Sequence, residues 1–305
     1  MWFARLRMRI LRIGFPDRKE RVSAMSSYSS FLASEVPQLD PDACLFHVLP
    51  APMEDTVSYG GGTANGPRAI LEASAQLEAY DGVDCPCEHG IHTHATLHTL
   101  EQIEAAVGRC MEQDRVPVLL GGEHTVSLGA FRALASLSEP VGIVQLDAHA
   151  DLRESYEGSP LSHACVMRRA LELGLPIAQF GVRALSPEEV ALREQRGIFF
   201  QDGYDIGVNG LREELLPPDF PETVYVTIDI DALDPSLMPA TGTPEPGGLD
   251  WWSATALLGR ISSERRVIGF DCVELAPIPG MHAPDFTTAR LIYNFMGMIA
   301  RSVRG

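Results

Sequence analysis

The sequence predicts an α/β fold on a mostly parallel central sheet, and three observations predict it. The apolar run Val141–Leu146 has the length and composition of a strand covered by helices on both faces. Further short apolar runs alternate with stretches of helical spacing, which is the pattern of βαβ units. The chain of 305 residues is long enough to bury a substantial core. With no internal repeat and no linker, residues 25–305 read as a single domain.

Residues 1–24 stand apart. Arg5, Arg7, Arg9, Arg12, Arg18, Lys19 and Arg21 face only Asp17 and Glu20, without the long apolar centre and small-residue cleavage site of a secretory signal. The segment is expected to be a basic, disordered extension with Met25 as the functional start; a basic arm for anionic surfaces and a transit peptide are the alternatives. Cys44–Leu49 reads as the first strand. Thr56–Pro67 is rich in glycine and opens a helix at Asn65–Pro67, where Asn shortly before Pro is a cap signature. Ala69, Ile70, Ala73, Leu77 and Ala79 continue it at roughly helical spacing. The glycines match neither phosphate-cradle pattern, so a tight, ligand-facing loop is expected.

The stretch Cys85–His98 holds two cysteines and four histidines. Its spacings are not those of tetrahedral zinc sites, and a surface strand or loop is expected. Helices at Leu100–Met111, Thr125–Leu137, Ser162–Gly174, Pro187–Gln195, Leu249–Ser263 and Phe286–Val303 then alternate with strands. The strands fall at Val116–Leu120, Val141–Leu146, Ile177–Val182, Ile198–Phe200, Val224–Ile228 and Arg266–Phe270.

A formal charge of −17 argues against nucleic acid, whose phosphates it would repel, and suits a small cationic partner or simple solubility. No apolar stretch is long enough to span a membrane. The six cysteines are scattered through a chain too large to need staples, and read as reduced thiols of a cytoplasmic protein.

Four of the strands end in chemistry. Val141–Leu146 runs into Asp147, His149 and Asp151, and Val116–Leu120 runs into Gly121-Gly-Glu-His124. Val224–Ile228 leads to Asp229 and Asp231, and Arg266–Phe270 leads through Asp271 to Glu274. Alternate residues of an extended segment project to one side. In open α/β sheets, ligands bind beyond the carboxyl ends of the strands. One carboxylate at a strand end is ordinary, whereas four aspartates and two histidines at one rim are costly to desolvate without cations. Two divalent ions supply about four positive charges, and paired ions sit roughly 3.5–4 Å apart. Carboxylate and imidazole together suit a divalent first-row metal.

Gly-Gly-x-His, Asp-Ala-His-x-Asp and Asp-Ile-Asp-Ala-Leu-Asp-Pro-Ser-Leu-Met-Pro-Ala-Thr-Gly-Thr-Pro-Glu-Pro-Gly-Gly resemble the ureohydrolase family of arginases and agmatinases, from about Pro50 to the last helix. The resemblance implies a three-layer α/β/α fold, two manganese ions and hydrolysis of a guanidino group to urea and an amine. It places His124, Asp147, Asp151 and Asp229 on one ion, and Asp147, His149, Asp229 and Asp231 on the other. Asp151 would also accept a hydrogen bond from a bridging hydroxide. His163 falls where the family has a proton-shuttling histidine, and imidazole suits that task. Thr243 matches a threonine near the guanidino group. Glu274, beside the metals, is expected to pair with the guanidinium, with a structural ion pair as its alternative. The family also implies a homo-oligomer, trimer or hexamer.

The loop Leu152–Leu161 lacks the arginase pattern Ser-Gly-Asn-x-His-Gly and is similar to agmatinase loops, as is Ser162–Arg169. Agmatine is therefore the expected substrate, with Glu154, Glu157 or another nearby carboxylate receiving its terminal ammonium. An inward Arg153 would favour an acid such as 4-guanidinobutyrate. Arginase and formimidoylglutamase specificities remain alternatives, as does a non-catalytic metal-binding homologue, although all six ligands are intact. A metallophosphoesterase would need a Gly-Asn-His-Glu/Asp segment that is absent. The second Asp-x-Asp pair counts against a single-zinc deacetylase.

Overall fold

A computed structural model describes residues 30–37 and 39–302. The basic extension 1–24 lies outside them. In chain order the elements are β1 (Phe46–Ala51), α1 (Gly66–Ser74), β2 (Ile91–Thr93), α2 (Leu100–Glu112), β3 (Val116–Gly121) and α3 (Ser127–Ala135). There follow β4 (Val141–Leu146), α4 (Val166–Glu172), β5 (Ile177–Phe180), α5 (Pro187–Arg196) and β6 (Phe199–Gln201). The chain ends with α6 (Gly203–Asn209), β7 (Thr223–Asp229), α7 (Trp251–Glu264), β8 (Arg266–Val273) and α8 (Ala283–Ser302).

The eight strands form one sheet in the order β2-β1-β3-β8-β7-β4-β5-β6, and every pairing is parallel. Helices cover both faces, so successive strand residues enter different cores. Val118 and Leu120 of β3, Val144 and Leu146 of β4, and Val224, Val226 and Ile228 of β7 pack with α1, α7 and α8. Leu119, Ile143 and Tyr225, one residue out of step, pack with Ile103 and Val107 of α2, Phe131 and Leu134 of α3 and Met167 of α4. This is the three-layer arrangement that the resemblance implied. Among the described residues no helix is long and apolar enough to cross a membrane.

Local chemistry explains most boundaries. Helix α5 opens with a capping box: the Ser186 hydroxyl accepts from Glu189 N while Glu189 returns an oxygen to Ser186 N at 2.7 Å. The other Glu189 oxygen accepts from Leu152 N at 2.9 Å, tying α5 to the loop beyond β4. The helices expected to start at Thr125 and Ser162 begin later, because His124–Val126 and His163–Cys165 form 3-10 turns first. Helix α6 was not legible: Gly203 and Gly207 weaken its propensity, and of its apolar side chains only Ile206 is buried. Within Cys85–His98 the chain makes a 3-10 turn at Pro86–His89 and then the edge strand β2. Strand β8 is three residues longer than expected and contains Asp271.

Candidate active site

Strands β3, β8, β7 and β4 are consecutive neighbours at the middle of the sheet, and all the site residues except His163 and Thr243 emerge from their carboxyl ends. At the end of β3 the chain must turn tightly. A Cβ on Gly122 would lie 2.1 Å from the carbonyl oxygen of Met53, so only glycine allows this approach. The 3-10 turn that follows delivers the buried His124. Beyond β4, Asp147 and His149 are locked by a hydrogen bond from His149 N to Asp147 Oδ1 at 2.6 Å. Asp229 closes β7, and its Oδ1 accepts from Asp231 N at 2.9 Å. Asp231 in turn accepts from Ala148 N at 2.9 Å, joining the two acidic segments.

Asp151 and Glu274 both adopt left-handed backbone, at φ 52° and 65°. That conformation costs a non-glycine residue on the order of 1–3 kcal/mol and persists where the surroundings over-determine it. Here they do. The carbonyl of Asp151 accepts from Met167 N and Arg168 N at 3.0 and 3.1 Å, and Glu274 N donates to Gly122 O at 2.8 Å. The Glu274 carboxylate then accepts from His124 N at 2.6 Å.

Two clusters result. His124 Nδ1 lies 3.2, 3.0 and 3.5 Å from oxygens of Asp147, Asp151 and Asp229. His149 Nδ1 lies 2.9 Å from Asp231 and 3.6 Å from Asp147. Ligand atoms of His124, Asp147 and Asp229 converge as one potential metal-holding group, and those of Asp147, His149 and Asp231 as a second. Asp147 belongs to both. The Nδ1 of His124, wholly buried, has no hydrogen-bond partner although it faces three carboxylates. When the ring is neutral with its lone pair on Nδ1, that lone pair is aimed at acceptor oxygens, which fits a cation between them, and the donor set is that of a divalent first-row ion. The residues therefore fit a pair of metal ions.

Without a cation the cluster is held together by protons. Burial opposes charge on both imidazoles, but their aspartate contacts dominate; the pKa of His124 stands well above the ordinary value and that of His149 is pushed up to about 12. Burial and the neighbouring carboxylates raise Asp229 well above the carboxylate range and Asp151 to about 6. Burial pushes Glu274 up to about 8. Divalent ions bound by the aspartates and histidines would take the place of their protons.

The clusters floor a cavity of about 440 Å³. His163 and Thr243 line it, as the sequence reading expected. Arg153 also lines it, with its guanidinium 5.2 Å from the Tyr156 ring centre. Arg183 donates to the carbonyls of Gly181, Asp231 and Glu245 and so serves the wall. Two expectations are corrected. Glu154 is exposed and paired with Arg168 at 2.6 Å, and neither it nor Glu157 lines the cavity. Glu274 meets no cationic side chain among the described residues, so a structural ion pair does not account for its burial. Glu245 also lines the cavity; its carbonyl accepts from Arg183, and its carboxylate makes no hydrogen bond or ion pair among the described residues.

Thr56 and Glu123 are supporting residues not singled out from sequence. Thr56 N and Oγ1 donate to Glu123 Oε2 at 2.7 and 3.1 Å, while His163 N donates to Thr56 Oγ1 at 3.0 Å. His163 Nδ1 lies 3.2 Å from the same hydroxyl. With the Thr56 hydroxyl donating to Glu123, Nδ1 is the donor in this contact; Ser162 Oγ lies 3.4 Å from the same nitrogen, and Nε2 makes no hydrogen bond among the described residues. Gln145, inside β4, donates to Asp147 Oδ2 at 2.7 Å and is itself braced by Gln179 and, through it, Arg193. A glutamine in an apolar strand was the available signal.

An all-parallel sheet whose central strands end in two overlapping Asp/His groups defines an α/β protein with a rim that could hold metal ions. The model of the arginase family matches residues 45–298. An N(1)-aminopropylagmatine ureohydrolase of Synechocystis is 40% identical over 92% of this chain and 96% of its own. An agmatinase of Pyrococcus horikoshii is 35% identical over 90% and 99%. The crystal structure of the agmatine ureohydrolase of Thermoplasma volcanium superposes with a TM-score of 0.81 at 30% identity, covering 93% of this chain and 99% of that one. The chain belongs to the arginase family. Its relatives there are hydrolases of guanidino compounds, and it is an enzyme of their agmatinase-type amidinohydrolase class.

Proposed function

We propose that this protein hydrolyses the guanidino group of agmatine to urea and putrescine, a step of polyamine synthesis, with two manganese ions as its metals. His124, Asp147, Asp151 and Asp229 would hold one ion, and Asp147, His149, Asp229 and Asp231 the other. When bound, the pair supplies a water acidic enough to be a nucleophile near neutral pH. The orphaned Nδ1 of His124 among three carboxylates is the observation that carries the reading.

The chain's own groups divide the remaining work. Glu274, held by His124 N beside the cluster, pairs with the guanidinium and sets its carbon over the nucleophile. Asp151 accepts a hydrogen bond from that nucleophile, and its strained backbone fixes the direction of its carboxylate. His163, with Nδ1 engaged by Thr56, takes up a proton from water at Nε2 and passes it to the departing amine. Thr243, on the cavity lining, contacts the guanidino group. Glu245, the uncommitted cavity carboxylate, receives the distal ammonium, and the cation of Arg153 is drawn aside over Tyr156.

N(1)-aminopropylagmatine is a second reading, favoured by the 40% identity to the Synechocystis enzyme. The test is urea release by manganese-loaded protein offered agmatine, N(1)-aminopropylagmatine, arginine and 4-guanidinobutyrate separately. Preference for agmatine supports the proposal, and preference for the aminopropyl compound supports the second reading. Preference for 4-guanidinobutyrate would turn the specificity role to Arg153, and urea from none would refute both readings. We place the enzyme in the cytoplasm, in keeping with six unpaired cysteines. We also place it in a homo-oligomer, trimer or hexamer, which light scattering would measure; the exposed Tyr204, Val208 and Trp252 offer apolar surface for it.

A further inference from the structure

Asp271 is a buried carboxylate that this chemistry leaves unused. It lies inside β8, fully shielded from solvent, and no cationic side chain pairs with it among the described residues. Across the sheet its register partner is Thr227 of β7. Thr227 Oγ1 donates to Asp271 Oδ1 at 2.6 Å and lies 2.9 Å from Nε2 of His124.

A hydroxyl has one proton to give. Thr227 gives its proton to Asp271, so its oxygen can only accept from His124, and Nε2 must carry the hydrogen. The neutral ring then has its lone pair on Nδ1, the atom facing Asp147, Asp151 and Asp229. With the polarity reversed, Nδ1 would carry the hydrogen and could not ligate a cation. We infer that Thr227 and Asp271 are positioning residues whose hydrogen-bond relay fixes the tautomer and orientation of His124 and so prepares one of the two metal sites. His149 has no equivalent relay: its Nε2 makes no hydrogen bond among the described residues. The inference rests on reading the clusters as a metal centre and is independent of the substrate.

The relay predicts an asymmetric loss. Metal-stripped protein is titrated with Mn²⁺ alone by calorimetry, with the fold of each variant checked by circular dichroism. Wild type should bind two equivalents. In Thr227→Val, which keeps shape and removes the hydroxyl, one equivalent should weaken about 10- to 100-fold while the other holds. Thr227→Ser should restore it to within about threefold. Asp271→Asn, of equal volume, should weaken the same equivalent and serves if the valine variant does not fold. Two unaltered equivalents in Thr227→Val or Asp271→Asn would overturn the relay. So would equal weakening of both that serine does not restore, since that marks a general disturbance of the sheet. A wild type that binds no Mn²⁺ would overturn the manganese reading as well, which separates the two failures.

Discussion

Replacing Glu274 with Gln isolates charge from shape. The side chain is 8% exposed, and its amide oxygen can still accept from His124 N, where the carboxylate sits at 2.6 Å. What disappears is a buried, charge-assisted contact with the guanidinium, and removing one partner of such a pair costs about 3–5 kcal/mol. At about 1.4 kcal/mol per tenfold, kcat/KM should fall by about two to three and a half powers of ten. Stability should move the other way. Burial already pushes the carboxyl up to about 8 in the metal-free protein, so a neutral amide relieves an unfavourable charge and metal-free Tm should hold or rise at pH 8. The assay is urea release at matched, measured metal content, alongside thermal melts. A kcat/KM within threefold of wild type would refute the role given to Glu274; loss of bound metal in step with activity would instead make it a support of the metal site.

Metal-free protein should lose stability as pH rises from about 5 to 9. Glu274 titrates near 8 when folded against 4.5 unfolded, Asp151 near 6 against 3.8, and His149 near 12 against 6.5. Each thus holds a proton that the unfolded chain releases at lower pH, which makes folding less favourable as pH increases. Metal ions replace those protons, so the Tm gap between loaded and stripped protein should widen across the same range; a flat metal-free profile would count against the account. Gly122→Ala should cost about 2–4 kcal/mol in urea unfolding, because its Cβ would lie 2.1 Å from Met53 O, and wild-type stability would show that the turn has slack. His163→Asn should lower kcat by roughly a hundredfold while leaving bound metal unchanged, and a kcat within threefold of wild type would remove it from the proton transfer. Glu245→Gln should raise KM for agmatine about tenfold with kcat little altered, and an unchanged KM would remove it as the ammonium receiver.

The clustering of the Asp and His residues was legible because its signal is local. An apolar run of strand length followed by alternating Asp and His needs only the period of an extended chain to place three side chains together, as at Asp147, His149 and Asp151. The parallel sheet was equally open to reading, since βαβ alternation is a property of neighbouring segments. Thr227 was hidden because threonine in Val-Tyr-Val-Thr-Ile is an unremarkable strand residue; its meaning depends on Asp271, 44 positions away. Thr56 and Glu123 meet across 67 positions. The direction of Arg153 was undecidable for a different reason: the loop that carries it follows no regular period, although the ring it meets, Tyr156, is only three positions on. The positive φ of Asp151 and Glu274 leaves no trace in residue type, because aspartate and glutamate occupy ordinary backbone far more often.

Strand order has a consequence for how the molecule comes into being. Strands β3 and β4 are neighbours in the chain but stand apart in the sheet, with β8 and β7 seated between them. A growing polypeptide that has emerged only to about residue 220 therefore has two half-sheets, each with a bare inner edge and a fragment of the catalytic rim. Insertion of residues 223–273 closes both edges at once and brings Asp229, Asp231 and Glu274 to His124 and Asp147. Such distant pairings are slow to form, so the Asp/His rim is completed late on the assembly route, when the middle two strands fall into place.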